Sequence, residues 1–123
     1  MSLKKKSIGD VVVLTPKGSL IGDEETSAIQ KTVKELIAEG TRKVVLDLAE
    51  ITWVNSAGLG AMISALTSMN KAGGDLRLAN VTDKIRSLFL ITQLFKVFKT
   101  FDSIAEAAAS FQSDPPAGVP PLE

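Results

Sequence analysis

Chemistry in this chain has to come from Ser, Thr, Asp, Glu, Lys and Arg, because its 123 residues include no His, no Cys and no Tyr. A His-based triad, a zinc hydrolase site and an imidazole general base are thereby excluded. So are a disulfide framework and a thiolate metal site. An enzyme could still be assembled from hydroxyls, carboxylates and amines, but that is the weaker reading. One stretch is locally unusual: Val54-Asn55-Ser56-Ala57-Gly58-Leu59-Gly60. Two glycines in the first turn of a helix cost about 1 kcal/mol each relative to alanine, so they ask for a reason. Ser56 is of a type that caps a helix, its hydroxyl accepting from backbone N–H groups two or three positions on. Two readings stand side by side. One is a capped helix whose glycines allow close packing on a sheet. The other is a docking surface with an accessible hydroxyl at the carboxyl edge of a parallel sheet, with the apolar Leu59 next to it.

The elements that must position this stretch alternate along the chain. Val11 to Thr15 is β-branched and short, bounded by Gly9-Asp10 and Pro16, and reads as a strand hairpinned with Lys4 to Ile8. Lys4, Lys5 and Lys6 suit a solvated edge strand, where lysines block unwanted pairing. Gly22-Asp23 opens a helix with Glu24 and Glu25 at its positive dipole end, an apolar stripe at Ile29, Val33, Leu36 and Ile37, and a stop at Gly40. Lys43 to Leu48 is apolar at successive positions, the mark of a strand covered on both faces. Asp47 is placed to cap the turn at its end, with contact to a partner as the alternative. A second helix runs from Ser56 to Lys71, with Leu59, Met62, Ile63, Leu66 and Met69 on one face. Leu76 to Ala79 reads as a strand, Asp83 to Leu90 as a helix and Lys96 to Phe101 as the last strand. The capping box Ser103-Ile104-Ala105-Glu106 opens a final helix ending at Phe111. The order predicts an α/β single domain: a mostly parallel sheet of about four or five strands, an N-terminal antiparallel hairpin and about four helices.

Charge and composition bound what this domain does. Lys and Arg number 14 against 14 Asp and Glu, so the balance is zero. That gives no electrostatic case for nucleic acid or an anionic membrane as a general partner. No apolar run approaches the roughly 20 residues of a membrane helix, so direct membrane insertion is not expected. Gly9 and Asp10 stand where a signal peptide would have its apolar stretch; a cytoplasmic protein is expected. Four of the five prolines fall between Pro115 and Pro121. The domain is therefore set at residues 4–111, with 112–123 a Pro-rich disordered tail. There is no Gly-x-x-x-x-Gly-Lys-(Ser/Thr) sequence, which argues against nucleotide binding, and no cofactor or metal is expected.

The strand Val44-Val45-Leu46-Asp47-Leu48, then Ile51, then Asn55-Ser56-Ala57-Gly58-Leu59-Gly60 resembles the signature of the STAS domain family of bacterial anti-sigma factor antagonists. Leu94-Phe95-Lys96-Val97-Phe98 and an Ala-rich terminal helix extend the resemblance over Ser7 to Phe111. It implies that Ser56 is phosphorylated by an anti-sigma factor that is also a serine kinase. The unphosphorylated domain then binds that factor and frees sigma, phosphorylation breaks the complex, and a PP2C-type phosphatase restores it. The partner-binding surface so implied comprises Asp23, Trp53, Asn55, Ala57, Gly58 and Leu59. For Trp53, burial under a helix and exposure at the docking site both remain open. The chain departs from the pattern twice: Asn55 stands where the family has Asp, and Ile21 where an acidic residue is common. A second implied role is that of a cytoplasmic accessory subunit of a lipid or anion transporter, which STAS-like domains also serve.

Overall fold

The structure, a computed structural model, describes residues 3–116. Its elements are β1 (Lys4–Ile8), β2 (Val11–Thr15), β3 (Gly18–Leu20), α1 (Glu24–Ala38), β4 (Lys43–Asp47), β5 (Ile51–Val54), α2 (Ser56–Lys71), β6 (Asp75–Ala79), α3 (Asp83–Thr92), a 3-10 turn (Leu94–Lys96), β7 (Thr100–Phe101) and α4 (Ile104–Ser113). The main sheet runs β1-β2-β4-β6-β7, antiparallel only between β1 and β2. β3 and β5 pair in parallel as a separate two-stranded ribbon.

Alternation along the central strands divides the core. Leu14, Val44, Leu46, Leu76 and Leu78 face one side, where Ile29 and Val33 of α1, Met62 and Met69 of α2, and Phe89 of α3 cover them. Val11, Val13, Val45 and Ala79 face the other side, covered by Ala107, Ala108 and Phe111 of α4. A strand lying between β2 and β6 with helices on both faces has no wet side, and every residue of β4 is buried. β1 is exposed throughout, as its lysines require.

Four local differences from the sequence reading have physical causes. β3 and β5 are three and four residues long, too short to show a period, and the sequence reading has no strand at either place. The segment read as a strand from Lys96 to Phe101 pairs only at Thr100–Phe101. Leu94 and Phe98 are both drawn into the core, Phe98 with its ring 6.0 Å from that of Phe89, and the chain must coil to bury both. Ile63 lies at the edge of the α2 stripe and is 36% exposed. The last helix passes Phe111 and ends at Ser113; Ser103 caps it at the Glu106 N–H, while Glu106 accepts from Asp102 N–H rather than from Ser103. The tail expected over residues 112–123 falls mainly, from 117 on, outside the described residues.

One buried group escaped notice in the sequence. Arg77 of β6 is fully buried on the α4 side. Its guanidinium donates to Asp75 Oδ2 at 2.9 Å, to Ser110 Oγ at 2.8 Å and to the Asp114 carbonyl at 2.5 Å, and lies 4.1 Å from the Phe111 ring centroid. α4 is thus pinned to the sheet by a charge as well as by apolar contact. Among the described residues no helix is long and apolar enough to cross a membrane.

Candidate functional site

The β3–β5 ribbon delivers two chain segments to one edge. β3 leads through Ile21-Gly22 into α1, and β5 leads through Asn55 into α2, so both helices begin at the carboxyl ends of parallel strands. Gly22 takes φ +95°, a conformation that favours glycine. Asp23 then caps α1, its Oδ1 accepting from the Thr26 N–H at 3.4 Å.

The cap of α2 is Asn55, not Ser56. Asn55 has an extended backbone, and its Oδ1 accepts from the Gly58 N–H at 3.0 Å. Both residue types cap well, and the first residue of the pair takes the role because β5 ends one position earlier, at Val54. Ser56 is displaced to the first helical position. There it is exposed, and its hydroxyl makes no hydrogen bond among the described residues. The hydroxyl therefore points outward from a helix start and is not consumed by the fold. Among the described residues no side chain caps the Ser56 or Ala57 N–H, and no acidic residue occupies the first turn of α2, so the helix's own residues leave the positive end of its dipole uncompensated.

The two glycines separate. A Cβ on Gly58 would stand 2.1 Å from the Leu20 carbonyl oxygen, whereas one on Gly60 would meet nothing within 4 Å. Gly58 is the point at which α2 crosses β3. Gly60 is exposed and has no such contact.

Around Ser56 the structure brings together exposed Ala57, Trp53 at 48% exposure and Ile21 at 46%. Ala57 Cβ lies beside Gly22, 3.1 Å from where a Cβ there would be. Asp23 is exposed at the start of α1, beside an open groove that runs from Gly22 along the helix to Glu35. Asn55 is half-buried, holding the turn. Gly58 and Leu59 are not on this surface: both are buried, Leu59 at 8% exposure as part of the core. They support the site from beneath. Helical geometry explains Leu59, three positions on from Ser56 but rotated onto the sheet-facing side shared with Met62 and Leu66. Ile21 entered the sequence reading only as a departure from a pattern. Its exposure beside a glycine of positive φ is the signal that marks it as a surface feature.

Asp47 is 5% exposed and structural. Its carboxylate accepts from Ala49 N–H at 3.1 Å, Thr15 Oγ1 at 3.1 Å and Asn80 Nδ2 at 2.9 Å, joining the carboxyl ends of β2, β4 and β6.

The family model described as STAS domain matches residues 2–107. A Thermotoga neapolitana protein ascribed to the anti-sigma factor antagonists is 30% identical over 108 residues, which cover 87% of this chain and 95% of that protein. The crystal structure of a Thermotoga maritima protein similarly ascribed superposes with TM-score 0.80 at 28% identity, covering 88% of this chain and 92% of the other. The anti-sigma factor antagonist SpoIIAA in its unphosphorylated form has the same fold, with TM-score 0.70 at 17% identity over 91% of this chain and 98% of that one. By name these relatives are anti-sigma factor antagonists.

Proposed function

The chain belongs to the STAS domain family, and on that footing we propose that it is an anti-sigma factor antagonist whose binding is switched by phosphorylation of Ser56. The observation that carries this reading is the Ser56 hydroxyl: exposed, without a hydrogen-bond partner among the described residues, and set at the start of α2 near exposed Trp53, Ala57 and Ile21. A kinase active site needs a hydroxyl it can reach, and a partner surface needs an apolar anchor near its centre; Trp53 and Ile21 supply the second.

The switch follows from charge and crowding. A phosphoryl group adds about −1.5 to −2 charges and three acceptor oxygens. At the mouth of α2 the domain itself tolerates this, because uncapped N–H groups and the dipole favour an anion. In an interface resting on Ala57, Trp53 and Ile21 the same group would be desolvated without a counter-charge, and the partner would be expelled. The partner in this reading is an anti-sigma factor that is also the serine kinase, a PP2C-type phosphatase reverses the modification, and the cycle runs in the cytoplasm. The working domain is residues 4–111.

The experiment is phosphorylation by the cognate anti-sigma kinase with ATP, followed by mapping of the phosphate and calorimetry of the complex. Modification is expected at Ser56 alone. Ser56→Ala should bind and resist modification, and Ser56→Asp should bind at least about ten-fold more weakly, a loss of about 1.4 kcal/mol. Phosphate at another residue, or undiminished binding by Ser56→Asp, would overturn the reading.

A further inference from the structure

Asn55 does more than cap α2. While its Oδ1 accepts from Gly58 N–H, its Nδ2 donates to the Ile21 carbonyl at 3.2 Å, and its own backbone N–H donates to the Leu20 carbonyl at 3.1 Å. Turning the carboxamide over would set oxygen against the Ile21 carbonyl and an NH2 against the Gly58 N–H, so the partners fix which end is which. The Ile21 carbonyl and the Gly22 N–H belong to one peptide plane. Its other side is held too, by the Gly22 N–H donating to Thr26 Oγ1 at 3.0 Å. One plane is therefore clamped between the starts of α1 and α2, immediately beside Ser56.

We infer that Asn55 is a positioning residue that sets the orientation of the Ile21–Gly22 peptide plane, and that a carboxylate in its place would reverse that plane. A carboxylate keeps the capping acceptor but has no N–H for the Ile21 carbonyl, and its charge repels the carbonyl oxygen. Rotating the plane by half a turn presents the Gly22 N–H to the carboxylate instead. The Thr26 hydroxyl, whose hydrogen points to Asp23 Oδ1 at 3.4 Å, can follow by turning that hydrogen to the Ile21 carbonyl. The rotation carries Gly22 from φ +95° to the negative side, a move that glycine makes without steric cost. With Asn55 in place, position 55 adds no charge beside Ser56, and the Ile21 carbonyl is already occupied. The consequence for partner choice rests on the Ser56 reading; the orientation itself does not.

The test uses the free protein and no partner, so its failure is separate from failure of the switch. Gly22 φ is measured from three-bond H–N–Cα–H couplings and residual dipolar couplings in the parent and in Asn55→Asp. The melting temperature should change by no more than about 3 °C, because Asn and Asp cap about equally well, while φ of Gly22 changes sign. Retention of the positive φ in Asn55→Asp would overturn the inference. Asn55→Gly removes the side-chain donor without adding charge at little capping cost, and covers the case in which the Asp variant does not fold. Its Gly22 amide should exchange about ten-fold faster as the clamp loosens; an unchanged rate would equally overturn the inference.

Discussion

Gly58 and Gly60 look alike in the chain and differ in what surrounds them. Alanine at 58 would bring its Cβ to within 2.1 Å of a backbone oxygen in β3, and no rotamer change relieves a clash with main chain. Gly58→Ala should therefore lose about 3 kcal/mol by forcing α2 away from the ribbon. Gly60→Ala meets open space and should gain about 0.5–1 kcal/mol from helix propensity. Urea denaturation of the two variants checks both signs at once. A gain at 60 accompanied by weaker partner binding would show that the missing side chain serves the docking face. At this scale the sequence revealed the anomaly, two glycines in one turn, but not its division, because Leu20 is 38 residues from Gly58 in the chain. The cap was misplaced by one residue for a similar reason: Asn and Ser are near equals as caps, and only the end of β5 at Val54 decides between them.

The elements most legible in the sequence were those with long periods or continuous burial, namely α1, α2 and β4. β3 and β5 were not, although they position the site, because three or four residues give no period and their pairing is with each other. α4 was legible from its capping box, yet the group that fastens it was not. Arg77 reads as one more polar residue in a strand until α4 is laid across it. Arg77→Met keeps an unbranched apolar stem but deletes the bonds to Asp75, Ser110 and the Asp114 carbonyl. It leaves the largely buried Asp75 carboxylate without its cation and should cost about 3 kcal/mol. Amide exchange rising first in α4, ahead of β4 and β6, would locate the loss in this element; uniform exchange would not fit. Asp114 adds a pH dependence at the same place. The Lys99 ammonium bonded to it at 2.5 Å holds its carboxyl below the ordinary value of 3.8, with Arg77 assisting. A lowered folded-state value favours the native state above the ordinary value, and that contribution is lost as pH falls through the lowered one. Asp114→Asn should therefore show a shallower loss of stability on acidification from about pH 5 to about pH 3 than the parent does.

Across the whole molecule, the starts of α1 and α2 meet at one edge, Gly22 against Ala57, and their charges are unequal. α1 has Asp23, Glu24 and Glu25 at its start, whereas α2 has no acidic residue in its first turn. The residues of α2 itself thus leave its positive end uncompensated at the residue proposed to receive a phosphate, in a chain whose total charge is zero. Composition exposed that neutrality and the absence of catalytic imidazole; where the uncompensated dipole sits depended on β5, which composition and periodicity could not reveal. The arrangement separates stability from binding. A negative charge at position 56 satisfies the start of α2, so Ser56→Asp should raise stability by about 0.3–1 kcal/mol at low salt. In a domain of this size that is about 1–5 °C in melting temperature, and it should shrink as salt screens the dipole. The same substitution is expected to weaken the partner complex. Opposite signs for the two measurements identify a switch acting at the interface, because a lesion that weakened binding by loosening the fold would lower both. Thermal unfolding of Ser56→Asp and Ser56→Ala at low and high salt, beside calorimetry of each with the anti-sigma factor, decides between them: a fall in melting temperature matching the fall in affinity would show that the charge acts through the fold.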